Sequence, residues 1–225
     1  MNIVRIAMDG PAGAGKSTIA KRVARELGID YIDTGAMYRA FALKILRTGT
    51  DVNDADALAA LLKDTDVDYA GGSIFLDGEN VDGLIRTQEV SEMASVSSAV
   101  QAVRDKLVAA QQAMGKRKSL VMDGRDIGSK VFPDAELKFY ITASSRVRAE
   151  RRAIDMELAG QPCDVDQIQK EIEARDYRDM HRASSPLVKV PDAIEIDTTD
   201  ASLEESVAEV MHYINKFLSK EDQGE

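Results

Sequence analysis

The chain has 225 residues and a mass of 24.5 kDa, with 44% hydrophobic, 30% charged and 5% aromatic residues, enough to bury a sizeable core as one domain or two small ones. Lys and Arg total 29 against 39 Asp and Glu, and the resulting formal charge of -10 argues against a nucleic-acid polymer or an anionic membrane as partner, since either asks for a basic face. A single cysteine, Cys163, excludes an internal disulfide and any cysteine-built metal site, and no apolar run approaches ~18 residues, so the expectation is a reduced, cytoplasmic, soluble protein with no signal peptide or membrane span.

The first predicted element is a strand over residues 3–8, followed by Gly10-Pro11-Ala12-Gly13-Ala14-Gly15-Lys16-Ser17-Thr18. A helix follows Lys16, with Ile19, Val23 and Leu27 on one face and Gly28 ending it. A brief strand at 31–32 leads into Asp33-Thr34-Gly35-Ala36-Met37-Tyr38-Arg39, which opens another helix. Over 67–83 the paired glycines Gly71-Gly72 and the Asp77-Gly78 turn separate alternating residues, the pattern of a small antiparallel meander inserted in the chain. Strands are predicted again at 120–122, 137–141 and 194–196. Between the last two, 145–184 reads as two helices broken at Gly160-Gln161-Pro162, and it holds seven of the chain's sixteen arginines. The final helix opens on Ser202-Leu203-Glu204-Glu205, a capping-box spacing, and turns Val207, Val210, Met211, Ile214 and Phe217 inward; residues 220–225 read as a frayed tail. Strands alternating with helices predict an α/β fold, a parallel sheet covered on both faces.

Residues 10–17 have the form G-x-x-x-x-G-K-S, placed between a strand and a helix. Such a loop curls backbone N–H groups around phosphate oxygens; its lysine reaches the β- and γ-phosphates, and the Ser17 hydroxyl can hold Mg2+. The strand at 120–122 ends in Asp123, the form of the second nucleoside-triphosphatase motif, whose carboxylate lies near the Mg2+; an apolar run before Asp-Gly is also an ordinary turn. No Asn-Lys-x-Asp string for reading guanine occurs, and the chain is short for a motor, which leaves a small-molecule kinase with a second anionic ligand. Three places qualify for that ligand. Thr34 and Arg39 sit at a strand-to-helix junction; Asp123-Gly124-Arg125-Asp126 puts opposite charges at the mouth of what reads as the central strand. The third is the late helical pair, with Arg148, Arg151 and Arg152 spaced i, i+3, i+4 and Arg175, Arg178 and Arg182 spaced i, i+3, i+7. Solvated pairing with nearby Glu and Asp is the alternative for each such arginine.

From end to end the chain resembles the bacterial cytidylate kinases, within the phosphate-loop nucleoside monophosphate kinases. The resemblance is carried by Asp9 with the 10–18 loop, 33–39, Ile85-Arg86-Thr87-Gln88-Glu89-Val90, Asp123-Gly124-Arg125-Asp126-Ile127-Gly128, Val131-Phe132-Pro133-Asp134-Ala135, Arg175-Asp176 with Arg182, and Ser185-Pro186-Leu187. It implies a five-stranded parallel core (1–34, 99–144 and 185–225), a nucleoside-monophosphate-binding region (about 35–98) carrying the β insert (about 67–84), and a short helical lid (about 145–184). The implied reaction takes the γ-phosphate of ATP, with Mg2+, to CMP or dCMP. Gly10 to Thr18 would hold ATP, Ser17 and Asp123 the metal. Thr34, Arg39 and Arg125 would hold the CMP phosphate. Ser95, Arg104 and Asp126 would surround the cytosine, although residues 94–99 are a run of small residues that would equally suit close helix packing. Arg175 and Asp179 would meet the sugar and Arg182 a phosphate, while Arg148, Arg151 and Arg152 would be lid residues reaching ATP on closure. Monomeric state is the expectation from the same resemblance. The acceptor phosphate is already anionic at neutral pH, so no general base is needed, and the two histidines, His181 and His212, are expected at helix surfaces. Other readings are a kinase for UMP or a non-nucleotide acceptor, and a nucleotide-binding regulatory module without transfer activity.

Overall fold

A computed structural model describes residues 3–223. In chain order the elements are β1 (Arg5–Asp9), α1 (Lys16–Leu27), β2 (Asp30–Asp33), α2 (Thr34–Thr48), α3 (Ala55–Lys63), β3 (Val67–Ala70), β4 (Ser73–Leu76), β5 (Glu79–Asn80), α4 (Gln88–Ser97), α5 (Gln101–Gly115) and β6 (Leu120–Gly124). A π-helical turn (Ile127–Val131) follows, then β7 (Leu137–Thr142), α6 (Ser145–Leu158), α7 (Val165–His181), β8 (Ile194–Asp197) and α8 (Leu203–Gln223). The parallel sheet has five strands in the order β2-β6-β1-β7-β8, and a second, antiparallel sheet has three in the order β3-β4-β5. β1, not β6, is therefore the central strand. Both strands read alike in sequence because both are buried on both faces: Ile6, Ala7 and Met8 in β1, and Leu120, Val121 and Met122 in β6, are all inaccessible to solvent.

The contacts divide the chain into two units. The first comprises Asp30–Leu120 with residues 3 and 4, and so contains the whole 35–98 segment together with β2 and α5. In it α2 packs on α4 and on the small sheet through Met37, Ala40, Phe41 and Ile45, all fully buried. Lys44 and Arg47 of α2 pair with Asp77 at 2.5 Å and Glu79 at 2.6 Å, fastening the helix to the insert.

The second unit comprises Arg5–Ile29 with everything from Val121 onward. α1 buries Ile19, Ala20, Val23 and Ala24 and stops at Gly28, whose backbone N–H bonds back to Ala24 and Arg25. α6 and α7 meet over Ala149, Ala153, Ile168 and Ile172, the small alanines letting the two helices close on each other. The capping box at α8 forms as expected, Glu205 N donating to Ser202 Oγ at 3.2 Å and Ser202 N to Glu205 Oε2 at 2.9 Å. α8 continues to Gln223, so residues 220–223 are helical where fraying was expected; Gly224 and Glu225 lie outside the described residues.

Candidate active site

The glycine-rich loop departs from the C-terminal end of β1, the central strand, where β7 runs alongside. A Cβ on Gly10 would stand 1.9 Å from the carbonyl oxygen of Ile141 in β7, and Gly10 has φ +145, so no other residue lets the chain leave the sheet here. Gly15, left-handed at φ 86, is the N-cap of α1 and offers no side chain to cover the first-turn N–H groups, which leaves them to an anion. Lys16 is 5% exposed and its Nζ donates to the Pro11 carbonyl at 2.7 Å. Burial, reinforced by the nearby charge of Arg125, lowers its pKa from 10.5 to about 7, against the opposing pull of Asp123 and Asp9.

Two buried carboxylates, Asp123 and Asp9, flank the loop. Ser17 Oγ donates to Asp123 Oδ2 at 2.8 Å, so the two residues expected to hold Mg2+ stand side by side. A hydroxyl and a carboxylate are hard oxygen donors, and no cluster of three acidic, His or Cys side chains occurs among the described residues. That donor set fits Mg2+, which takes one or two protein oxygens and completes its shell with phosphate and water. Asp9, the last residue of β1, accepts from the backbone N–H of Ile127 at 2.8 Å and of Gly128 at 2.7 Å. Burial raises its pKa to about 6, and those two N–H bonds hold the value down from going further.

The loop after β6 carries Arg125 and Asp126. Arg125 Nε donates to Asp179 Oδ2 at 3.0 Å, and Arg182 Nη2 lies 3.6 Å from Asp126 Oδ1. Arg182 sits beyond the end of α7 in extended conformation, its Nε donating to the Ser185 carbonyl at 2.5 Å. The row Arg175, Arg178, Arg182 is thus not one helical face: the helix ends at His181, and Arg175 and Arg178 are exposed. Arg148 is 5% exposed. It donates to the carbonyls of Ala143 and of Ala12 in the glycine-rich loop, each at 2.9 Å, and pairs with Asp176 at 2.6 Å. Arg151 bonds Thr198 through both its hydroxyl and its carbonyl, and Thr198 Oγ1 in turn bonds the Ala14 carbonyl at 3.2 Å. Arg152 is exposed on α6.

In the first unit, Thr34 is buried at the first position of α2 and Asp33 caps that helix, accepting from Ala36 N at 3.0 Å. Asp33 also pairs with Arg39 at 3.2 Å. Gly35 lies beneath that guanidinium, where a Cβ would come 3.3 Å from Arg39 Nη1. Arg104 is 2% exposed on α5, its guanidinium 5.5 Å from the centre of the Tyr38 ring and its Nη1 bonded to the Ser98 carbonyl at 3.2 Å. Ser95 is exposed on α4.

A model of the family described as cytidylate kinase matches residues 6–216. The chain belongs to the cytidylate kinase family. It is 47% identical over 216 residues to the cytidylate kinase of Symbiobacterium thermophilum, covering 94% of this chain and 96% of that one. It is 46% identical over 210 residues to that of Clostridioides difficile, covering 93% and 97%. Among solved structures it is similar in fold to an uncharacterized protein from Eubacterium ventriosum, with a TM-score of 0.52 at 15% identity, over 96% of this chain and 99% of that one.

Within this cytidylate kinase fold, several residues at the site had no role assigned from sequence. Asp9 is one, and its signal was present: a carboxylate at the last strand position before the first loop glycine. Asp33 could have been found as an N-cap before Thr34-Gly35. Tyr38, Asp176 and Thr198 join only through long-range contacts with Arg104, Arg148 and Arg151, which no local pattern announces. Both histidines lie on helix surfaces, His181 stacked on Tyr177 at 4.0 Å and His212 on α8.

Proposed function

We propose that this member of the family transfers the γ-phosphoryl group of ATP to a phosphate oxygen of CMP or dCMP, giving ADP and CDP or dCDP, as a cytoplasmic step of pyrimidine nucleotide metabolism. The observation that carries the reading is the Arg125-Asp126 loop, a cation beside a buried carboxylate, clamped to the strand from which the phosphate loop departs. A cation takes a phosphate; a buried carboxylate takes an amino N–H. Cytosine presents an amino donor where uracil presents a carbonyl, so Asp126 meets like with like when the base is uracil.

The attacking oxygen belongs to a phosphate whose second pKa is ~6, so no side chain has to remove a proton at neutral pH. What the chain must supply is position and positive charge along the line of transfer. First-turn N–H groups of α1 and the residues Gly10 to Thr18 cradle the donor phosphates, and Lys16 places an ammonium on the transferred group. Ser17 and Asp123 would hold Mg2+, which would supply positive charge against the negative charge that builds during transfer. Thr34, Arg39, Arg125 and Arg182 take the acceptor phosphate, Arg104, Ser95 and Asp126 the base, and Arg175 and Asp179 the sugar. Arg148 and Arg151 already hold Ala12 directly and Ala14 through Thr198, so their work is to keep the phosphate loop in shape. Arg152, exposed on α6, is the lid arginine left to reach the nucleotide. A monomer with no nucleic-acid polymer or membrane as partner completes the reading, and no helix among the described residues is long and apolar enough to cross a membrane.

The test is an acceptor panel of CMP, dCMP, UMP, AMP and GMP with ATP and Mg2+. The two cytosine nucleotides should lead in kcat/KM, and equal or better turnover of AMP or UMP would overturn the assignment.

A further inference from the structure

Asp9 belongs to the strand that launches the phosphate loop, yet its side chain does not turn toward that loop. It is 6% exposed, and each of its two oxygens receives a separate backbone N–H, Ile127 on Oδ1 at 2.8 Å and Gly128 on Oδ2 at 2.7 Å. Those N–H groups open the π-helical turn Ile127–Val131, immediately after Arg125 and Asp126. The carbonyl of Asp126 accepts from Lys130 N at 2.8 Å and Val131 N at 3.1 Å, but its side chain makes no capping bond, so the first N–H groups of the turn are left to Asp9. Contact on the other side is equally close: a Cβ on Gly128 would stand 3.3 Å from Asp9 Oδ2 and 3.2 Å from Lys138 Cδ. Two charge-assisted bonds donated to one buried carboxylate fix the directions of two successive peptide planes.

We propose that Asp9 is a positioning residue for the acceptor nucleotide, its bidentate grip on Ile127 and Gly128 setting the directions in which Arg125 and Asp126 point. The proposal rests on the reading of Arg125 and Asp126 as acceptor-binding groups. One residue thereby ties the exit of the central strand, where the donor loop starts, to the loop that reads the acceptor. An asparagine keeps the shape of Asp9 but offers one acceptor oxygen and turns an NH2 group toward the second N–H.

The experiment compares Asp9→Asn and Gly128→Ala with the wild type, and with Arg125→Met as a control on the underlying reading. Gly128→Ala disturbs the same contact from the opposite side, so the question stays answerable if either variant folds poorly. NMR-detected hydrogen exchange at Ile127 and Gly128 should quicken by about tenfold or more in Asp9→Asn, reporting the lost bonds. In both variants the KM for CMP should rise by about tenfold and the preference for CMP over UMP should shrink, while in Gly128→Ala, which keeps the Asp9 charge near Lys16, the KM for ATP stays at its wild-type value. A merely structural role would raise both KM values together in Gly128→Ala, and that outcome overturns the proposal. So does faster exchange with unchanged CMP kinetics. If Arg125→Met cripples CMP use while the other two variants do not, Asp9's role alone is wrong. If Arg125→Met also leaves CMP use intact, the acceptor reading fails and the proposal falls with it.

Discussion

Binding of ATP should be accompanied by uptake of a proton, and Lys16 sets how much. In the free protein its ammonium is buried near Arg125, with Arg175 adding to the same repulsion, and titrates at about 7 instead of 10.5. The unbound chain therefore prefers Lys16 neutral above pH 7, whereas a polyphosphate in the loop favours the ammonium. At pH 8 some ~90% of the free protein lacks that proton, so binding should take up ~0.9 proton. The terminal phosphate, with a pKa of ~6, is already ionised at pH 8 and cannot be the group that gains it. By linkage, the apparent Kd for ATP should rise about tenfold between pH 8 and pH 9. Titration calorimetry at pH 8 in Tris and in HEPES, whose ionisation enthalpies differ, gives the proton count from the difference in apparent enthalpy. Lys16→Met should bring that count to zero and flatten the pH dependence. A wild-type count near zero at pH 8, with affinity constant from pH 7 to pH 9, would refute the reasoning.

Three further outcomes are expected. Asp126→Asn should lower the ratio of kcat/KM for CMP over UMP by about tenfold or more, because an amide can face either base edge; an unchanged ratio would remove Asp126 from base reading. Asp176→Asn should destabilise the fold by about 3–5 kcal/mol in urea titration, since it leaves the buried Arg148 guanidinium without its 2.6 Å partner, and a loss under ~1 kcal/mol would show the pair to be solvated in practice. Gly10→Ala should abolish ATP binding by calorimetry even if the chain stays folded, because the added Cβ would sit 1.9 Å from the Ile141 carbonyl.

Elements were legible in the sequence wherever a local device decides them. The stop of α1 at Gly28, the capping box of α8 and the Asp77-Gly78 turn of the insert each rest on a few adjacent residues, and each stands where the pattern put it. Strand order was not legible, because β1 and β6 are both apolar runs buried on both faces and nothing in either run states its neighbours. The same limit applied to the arginines. The i, i+3, i+4 spacing placed Arg148, Arg151 and Arg152 near one another but could not say which is exposed. Arg148 became the buried strut because Ala12 and Asp176 come to it from distant parts of the chain. Arg182 left its expected row because α7 ends one residue earlier and the backbone turns extended.

The acidic balance of the chain takes on a different meaning beside these contacts. Arg39 pairs with Asp33, Arg125 with Asp179, Arg148 with Asp176 and Arg182 with Asp126, at 3.2, 3.0, 2.6 and 3.6 Å. Four arginines whose sequence positions point to phosphates thus already have carboxylate partners. A phosphate arriving at Arg39, Arg125 or Arg182 would exchange one anion for another, so its net gain would be the difference between two charge-assisted contacts and not the whole of one. That difference grows where the phosphate meets several cations at once and the displaced carboxylate finds other work, as the proposed function would give Asp126 on a cytosine amino group and Asp179 on a sugar hydroxyl. A nucleic-acid polymer offers no such return, since its affinity comes from stripes of cations that release condensed counterions, and these cations are individually matched by acids. The charge of -10 is therefore compatible with binding a polyanion: some of the acids that produce it already neutralise these arginines, and under the proposed function they would discriminate by what each can accept once released.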